Sequence, residues 1–209
     1  MTTASPLPLR ERKKAETWTA LHEAAASLAL LHGADQTTVE AIASSAGVSA
    51  RTLFNYFQVK EDAILGLREP VLDEEQLSRI STTAEDLVGQ VSRLLVTVAG
   101  TAIGGTDRAR RRQLIARYPQ LGRRHMDYMV KAEGLVCRGI SGVLAQDPAW
   151  AAGAEGFSLE EAARMLVMIA GVPIRFDITS TDFDPVEGIS PETLGPSLAL
   201  LHHLLRKIS

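Results

Sequence analysis

Apolar positions recur with helical spacing along almost the whole chain. Between residues 12 and 32, Trp18, Leu21, Ala25 and Leu28 fall on one stripe in steps of three, four and three, and Gly33 supplies a stop. Thr37-Thr38-Val39-Glu40 has the form of a capping box, with Thr37 as N-cap and Glu40 reaching back. It predicts a short helix with Val39, Ile42 and Ala43 inside, ended by a left-handed Gly47. Ser49 is placed to cap a third helix over 50–57, whose inner face is Leu53, Phe54 and Phe57. A fourth helix starts near Lys60, with Glu61 and Asp62 suited to the dipole of its first turn.

Around 69–80 a proline and an acidic run interrupt the pattern, which divides the chain into 1–66 and 67–209. Beyond the break, Thr82-x-x-Glu85 predicts the start of a helix carrying Leu87, Val91, Leu94, Leu95 and Val98. Residues 107–117 form a short basic helix, and Met126, Met129, Val136, Ile140 and Val143 mark a long one over 120–145. Ser158-x-x-Glu161 opens a helix that is apolar nearly all round, the mark of burial on several sides. Ser190-Pro191-Glu192 predicts a last cap, followed by the ladder Leu194, Leu198, Leu201, Leu205 and Ile208. No strand pattern finds a partner. The expected fold is all-α, with about nine helices: a three-helix helix-turn-helix domain and a larger helical domain.

Composition narrows the function classes. The 209 residues are 45% apolar and 22% charged, an ordinary globular balance. The polar, then basic start has no apolar signal core, no run is long enough to span a membrane, and the single cysteine, Cys137, excludes an internal disulfide. A cytoplasmic location is expected. The net charge of -3 does not suggest a nucleic-acid partner, but Arg10, Arg12, Lys13 and Lys14 cluster in one arm. A second basic run, Arg108 with Arg110, Arg111 and Arg112, reads as the solvated face of a short helix. The five histidines show no ligand spacing, so no metal or other cofactor is expected, and no nucleophile stands with a paired base.

The chemistry sits in residues 37–64. If Leu53 and Phe57 anchor the third helix, its opposite face presents Arg51, Thr52 and Asn55, flanked by Tyr56 and Lys60. Arginine can grip guanine with two hydrogen bonds, asparagine can do the same with adenine, and threonine suits a thymine methyl or a phosphate.

Residues 15–65, through TTVEAIASSAGVS and RTLFNYFQVKEDAI, strongly resemble the DNA-binding domain of TetR-family repressors. The remainder resembles the family only in length and helical layout. The resemblance implies that Ser49, Arg51, Thr52, Asn55 and Tyr56 meet the major groove or its phosphates. It also implies phosphate contacts for Lys60 and Thr38, and backbone or minor-groove contacts for Arg10, Arg12 and Lys13. Three positions depart from the pattern: Ala29 and Ala34 stand where aromatics are common, and Val59 where a capping residue is usual.

The same resemblance implies a homodimer on a near-palindromic DNA operator, released when a small molecule enters the C-terminal domain. Met126, Met129, Trp150, Met165, Met168 and Phe176 are candidate lining residues for that ligand. Arg175 is either its counter-ion or, by preference, a partner for Asp177 or Asp182. The leucine ladder beside the apolar 159–176 helix suits a bundle between two subunits, so Leu194, Leu198, Leu201, Leu205 and Ile208 are expected at the dimer interface.

Overall fold

Alanine and leucine dominate the middle of the first helix, α1 (Leu9–His32), and their low helical cost lets it run for 24 residues. It ends at Gly33, whose φ of 99° is open to glycine but strained for other residues. In this computed structural model, which describes residues 8–103, 107–152, 156–184 and 187–208, ten further helices follow and no strand is present among the described residues. They are α2 (Val39–Ser45), α3 (Ala50–Phe54), α4 (Lys60–Leu65), α5 (Glu74–Ser78), α6 (Leu87–Ala102), α7 (Arg108–Arg117), α8 (Pro119–Gln146), α9 (Pro148–Ala151), α10 (Leu159–Ile178) and α11 (Gly195–Ile208). The expected nine become eleven because α5 and α9 are single turns. Each is started by an aspartate cap, Asp73 and Asp147, and α5 falls inside the 69–80 segment that reads as a break. None of the described helices is long and apolar enough to cross a membrane.

Packing divides the chain into two units. The first comprises Met1–Arg68 together with Arg110–His125, and the second Glu69–Ala109 together with Met126–Ser209.

In the first unit, Leu21, Ala25, Ala29, Ile42, Leu53, Ile64 and Leu65 are fully buried. The small side chains at 29 and 34, where aromatics were expected, are both buried. Tyr118 covers that end: its hydroxyl lies 3.3 Å from where a Cβ on Gly33 would stand. The segment 110–125 is fastened by charge. Arg124 donates to both oxygens of Asp62, at 2.6 and 2.8 Å, and the Asp62 side chain is only 1% exposed. Buried Arg111 donates from Nε to the Leu65 carbonyl at 2.8 Å, satisfying an acceptor at the end of α4. Arg110 forms two hydrogen bonds to Glu23, which hold that carboxylate below its usual pKa range. The basic run is therefore only in part a solvated face: Arg112 is exposed, while Arg110 and Arg111 are taken up within the unit. Arg111 is buried because a carbonyl waits for it.

The second unit packs Val91, Leu94, Leu95 and Val98 of α6 against Val136, Ile140 and Leu144 of α8 and Ala163, Leu166, Val167 and Ala170 of α10. Ser92 is fully buried and donates to the carbonyl of Ala170 at 2.8 Å, so its hydroxyl costs little inside this core. The Ser158–Glu161 capping box forms as expected. The one at Thr82 does not: α6 starts at Asp86, which accepts from Gly89, while Thr82 donates to Asp147. The cap at Ser190 also fails. Pro196 has no N–H to give the carbonyl of Glu192, so residues 190–194 make turns and α11 starts at Gly195.

Replacing Arg124 by alanine strands a buried carboxylate, and chemical denaturation should show a loss of about 3–5 kcal/mol. Asp62→Asn combined with Arg124→Leu should recover much of it, because no uncompensated charge then stays inside.

Candidate nucleic-acid interface

Two helices meet through a three-residue turn at Ala46-Gly47-Val48. Gly47 has φ 68°, and Val48 N–H donates to the carbonyl of Ala43, which fixes the angle of departure. Ser49 then caps α3, its hydroxyl accepting from Thr52 N–H and sharing a hydrogen bond with Thr52 Oγ1. Leu53 and Phe57 are buried, as the sequence requires. Phe54 is not: it is 55% exposed, against the expectation of an inner-face residue. The reason is angular. Phe54 follows Arg51 by three residues, so it lies on the exposed side of α3 beside Arg51, roughly 100° from Leu53.

The basic arm is helical. Because α1 begins at Leu9, Arg10, Lys13, Lys14 and Thr17 line up on one side of its first turns. They face Thr52, Asn55 and Tyr56 across an open groove of about 720 Å³, which Leu9 also lines. Among the described residues, no ion pair is formed by Arg10, Lys13, Lys14 or Arg51, and all four side chains are exposed. Arg12 points elsewhere and pairs with Glu16 at 3.5 Å, an exposed pair of little energetic weight. Sequence order separates the first turns of α1 from α3 by some forty residues, so only the 10-13-14-17 spacing hinted at a shared wall.

The other expected contacts are placed differently. Thr38, not Thr37, caps α2: its Oγ1 accepts from Ala41 N–H, and its hydroxyl proton stays available. Thr37 is buried and donates back to the Gly33 carbonyl. Lys60 turns its ammonium onto the carbonyls of Ala34, Asp35 and Thr37, at 3.0, 3.4 and 2.9 Å. Three donors meet three acceptors, so Lys60 braces the α1–α2 turn and has no N–H to spare for a phosphate in this arrangement. Val59 provides no side-chain cap to α4. Partly buried Trp18 supports the site, its ring tilted 37° against that of Phe57 at a centroid distance of 5.6 Å and covered by Arg68 at 3.7 Å.

Residues 21–65, which hold the turn, α3 and the brace, match the family model described as "Bacterial regulatory proteins, tetR family". The amino-terminal domain belongs to the tetR family. Members of that family are DNA-binding transcriptional regulators, and the chain is one by this domain. No curated protein matches the chain. Among solved structures, it is similar to NalD, the secondary repressor of the MexAB-OprM multidrug efflux pump in Pseudomonas aeruginosa. That likeness is 17% identical over 92% of this chain and 96% of the other, with a TM-score of 0.48. The transcriptional regulator FadR from Bacillus subtilis, solved with stearoyl-CoA, is 19% identical over 88% and 97%, with a TM-score of 0.41.

The second unit holds the remaining expected site residues. Met165, Met168 and Phe176, candidates to line a cavity, are 58%, 53% and 53% exposed on α10, and Met126 is exposed on α8. Met129 and Trp150 are partly buried, and Trp150 packs on the helical core. Arg175 is exposed, while Asp177 accepts from Ser197. Leu194 and Leu198, expected between subunits, are buried at 0% and 4% exposure, whereas Leu201 and Leu205 are half-buried and Ile208 is exposed. Leu200 and Leu204 join Ile208 as the exposed large apolar residues of α11.

Exposed cations that lack partners attract phosphate without regard to base sequence. Lys13→Ala in this regulator should weaken binding to all duplexes alike and lower the slope of log affinity against log salt by about one. A salt titration of fluorescence anisotropy measures both.

Proposed function

We propose that the chain binds a near-palindromic operator as a homodimer and represses transcription until a small molecule binds its second unit. DNA reading is supported by one observation above the others: Arg51 and Asn55 stand exposed on α3 beside a groove walled by Arg10, Lys13 and Lys14. Arg51 suits guanine, Asn55 suits adenine, and Ser49, Thr52, Tyr56 and Thr38 supply hydroxyls for phosphates. Lys60 acts on this surface by holding the turn that carries it. The work is binding rather than catalysis, and its place is the cytoplasm, where the DNA is.

The dimer has its own support. Met165, Met168, Val172 and Phe176 are at least half exposed and recur at steps of three, four and four on α10. Leu200, Leu204 and Ile208 continue an apolar face on α11, which packs against α10. Large side chains repeated in this way suit a second copy of the same face, related by a two-fold axis. Two recognition helices would then sit about 34 Å apart, one turn of DNA. The effector reading rests on a groove of about 470 Å³ between α5 and α8, with Leu77, Ile80 and Val143 on its apolar side and Ser78, Arg138 and Gln146 on its polar side. Its size and mixed lining suit a small amphipathic molecule. A coupling of about 1–3 kcal/mol between that site and DNA changes operator affinity about 5- to 150-fold.

The direct test is anisotropy on DNA flanking the protein's own gene, with excess random competitor. Competitor-resistant binding by wild type, weakened by about 1–3 kcal/mol in Arg51→Ala and in Asn55→Ala, is the expected result. Loss of all binding to competitor at every genomic fragment would overturn the regulator reading. For the dimer, Met168→Glu or Leu204→Glu should give a folded monomer in sedimentation velocity, and an unchanged dimer would move the interface elsewhere.

A further inference from the structure

We propose that Phe54 reads the C5-methyl group of a thymine in each operator half-site. The inference rests on the DNA-reading face argued above and adds to it a base preference carried by an apolar side chain. Phe54 is 55% exposed at the end of α3, one helical turn after Arg51 and next to Asn55. Scattered apolar side chains are ordinary on protein surfaces. This one is placed among the polar groups that would enter the groove, where an idle phenyl ring would exclude water from them without return.

Its chemistry leaves a single role there. A phenyl ring has no donor or acceptor, so it can neither hold a phosphate nor follow the hydrogen-bond pattern of a base edge. The apolar feature that the four ordinary bases present in the major groove is the methyl of thymine. Phe54 therefore adds a contact that Arg51 and Asn55 cannot make, one helical turn after Arg51 on the exposed side of α3. The short α3 also limits its choices. Leu53 and Phe57 pin the helix into the core, so Phe54 cannot rotate inward without lifting one of them.

The experiment starts from a random duplex library enriched on wild-type protein. In the enriched duplex, each thymine is then replaced singly by deoxyuridine, which removes one methyl and leaves base pairing intact. The expected result is one position per half-site where the replacement weakens wild-type binding about fourfold, the effect of one methyl left unburied. That penalty should vanish in Phe54→Ala and persist in part in Phe54→Leu. Because Phe54 is exposed, both variants should melt with wild type, which thermal unfolding checks. Absence of any methyl-sensitive position, or a penalty unchanged in Phe54→Ala, overturns the inference while leaving the regulator reading intact. If wild type enriches no sequence, the regulator reading fails first, before any deoxyuridine is introduced, and the inference falls with it.

Discussion

A carboxylate that water cannot reach must be answered by the protein, and the first unit is arranged around that demand at Asp62. The residue suits the first turn of α4, where its charge complements the helix dipole, but burial makes the charge untenable alone. Arg124 supplies two parallel hydrogen bonds from a helix that starts more than fifty residues later. Close by, Arg111 meets the carbonyl of Leu65 at the other end of α4. One six-residue helix, too short to be stable by itself, is thus held at both ends by arginines. Since α4 also carries Lys60, which braces the turn before α2, the orientation of the reading surface depends on the same fastening.

The reading helix divides its labour by angle. Leu53 and Phe57 fix it, Ser49 starts it, and the residues a third of a turn away are left to solvent. Five residues of regular helix leave little room for error. Gly47, with its left-handed backbone, decides where α3 departs, and every outward side chain inherits that decision.

Much of this was readable from the chain. The turn, the Ser49 cap, the Ser158 box and the buried Leu53 and Phe57 follow from local chemistry, and the structure has them. The errors share a cause. A serine or threonine three residues before a glutamate occurs at Thr37, Thr82 and Ser158, but the pattern does not report whether another partner competes. Gly33's carbonyl takes Thr37 and Asp147 takes Thr82, so only Ser158 makes the box. The leucine ladder of α11 shows a related limit of local pattern. The positions 194 and 198 face the unit's own core and 200 and 204 face outward, a distinction that needs the neighbouring α10 to be in place. The arginines at 111 and 124 were illegible because their partners are distant in sequence, and a charge run looks alike whether it is solvated or buried.

That the first unit borrows Arg110–His125 has a consequence for how the protein is made. Protein domains generally fold from the amino terminus as they emerge during synthesis. Here the amino-terminal unit is incomplete when Arg68 emerges, because Asp62 and the Leu65 carbonyl still await arginines that have not been translated. At about 5–20 residues per second, several seconds separate the two events. During that interval the nascent chain carries its helix-turn-helix sequence in an unfinished setting, and α6, a helix of the other unit, emerges before the first unit is complete. The unit that carries the helix-turn-helix is therefore completed only after more than half of the chain has been built.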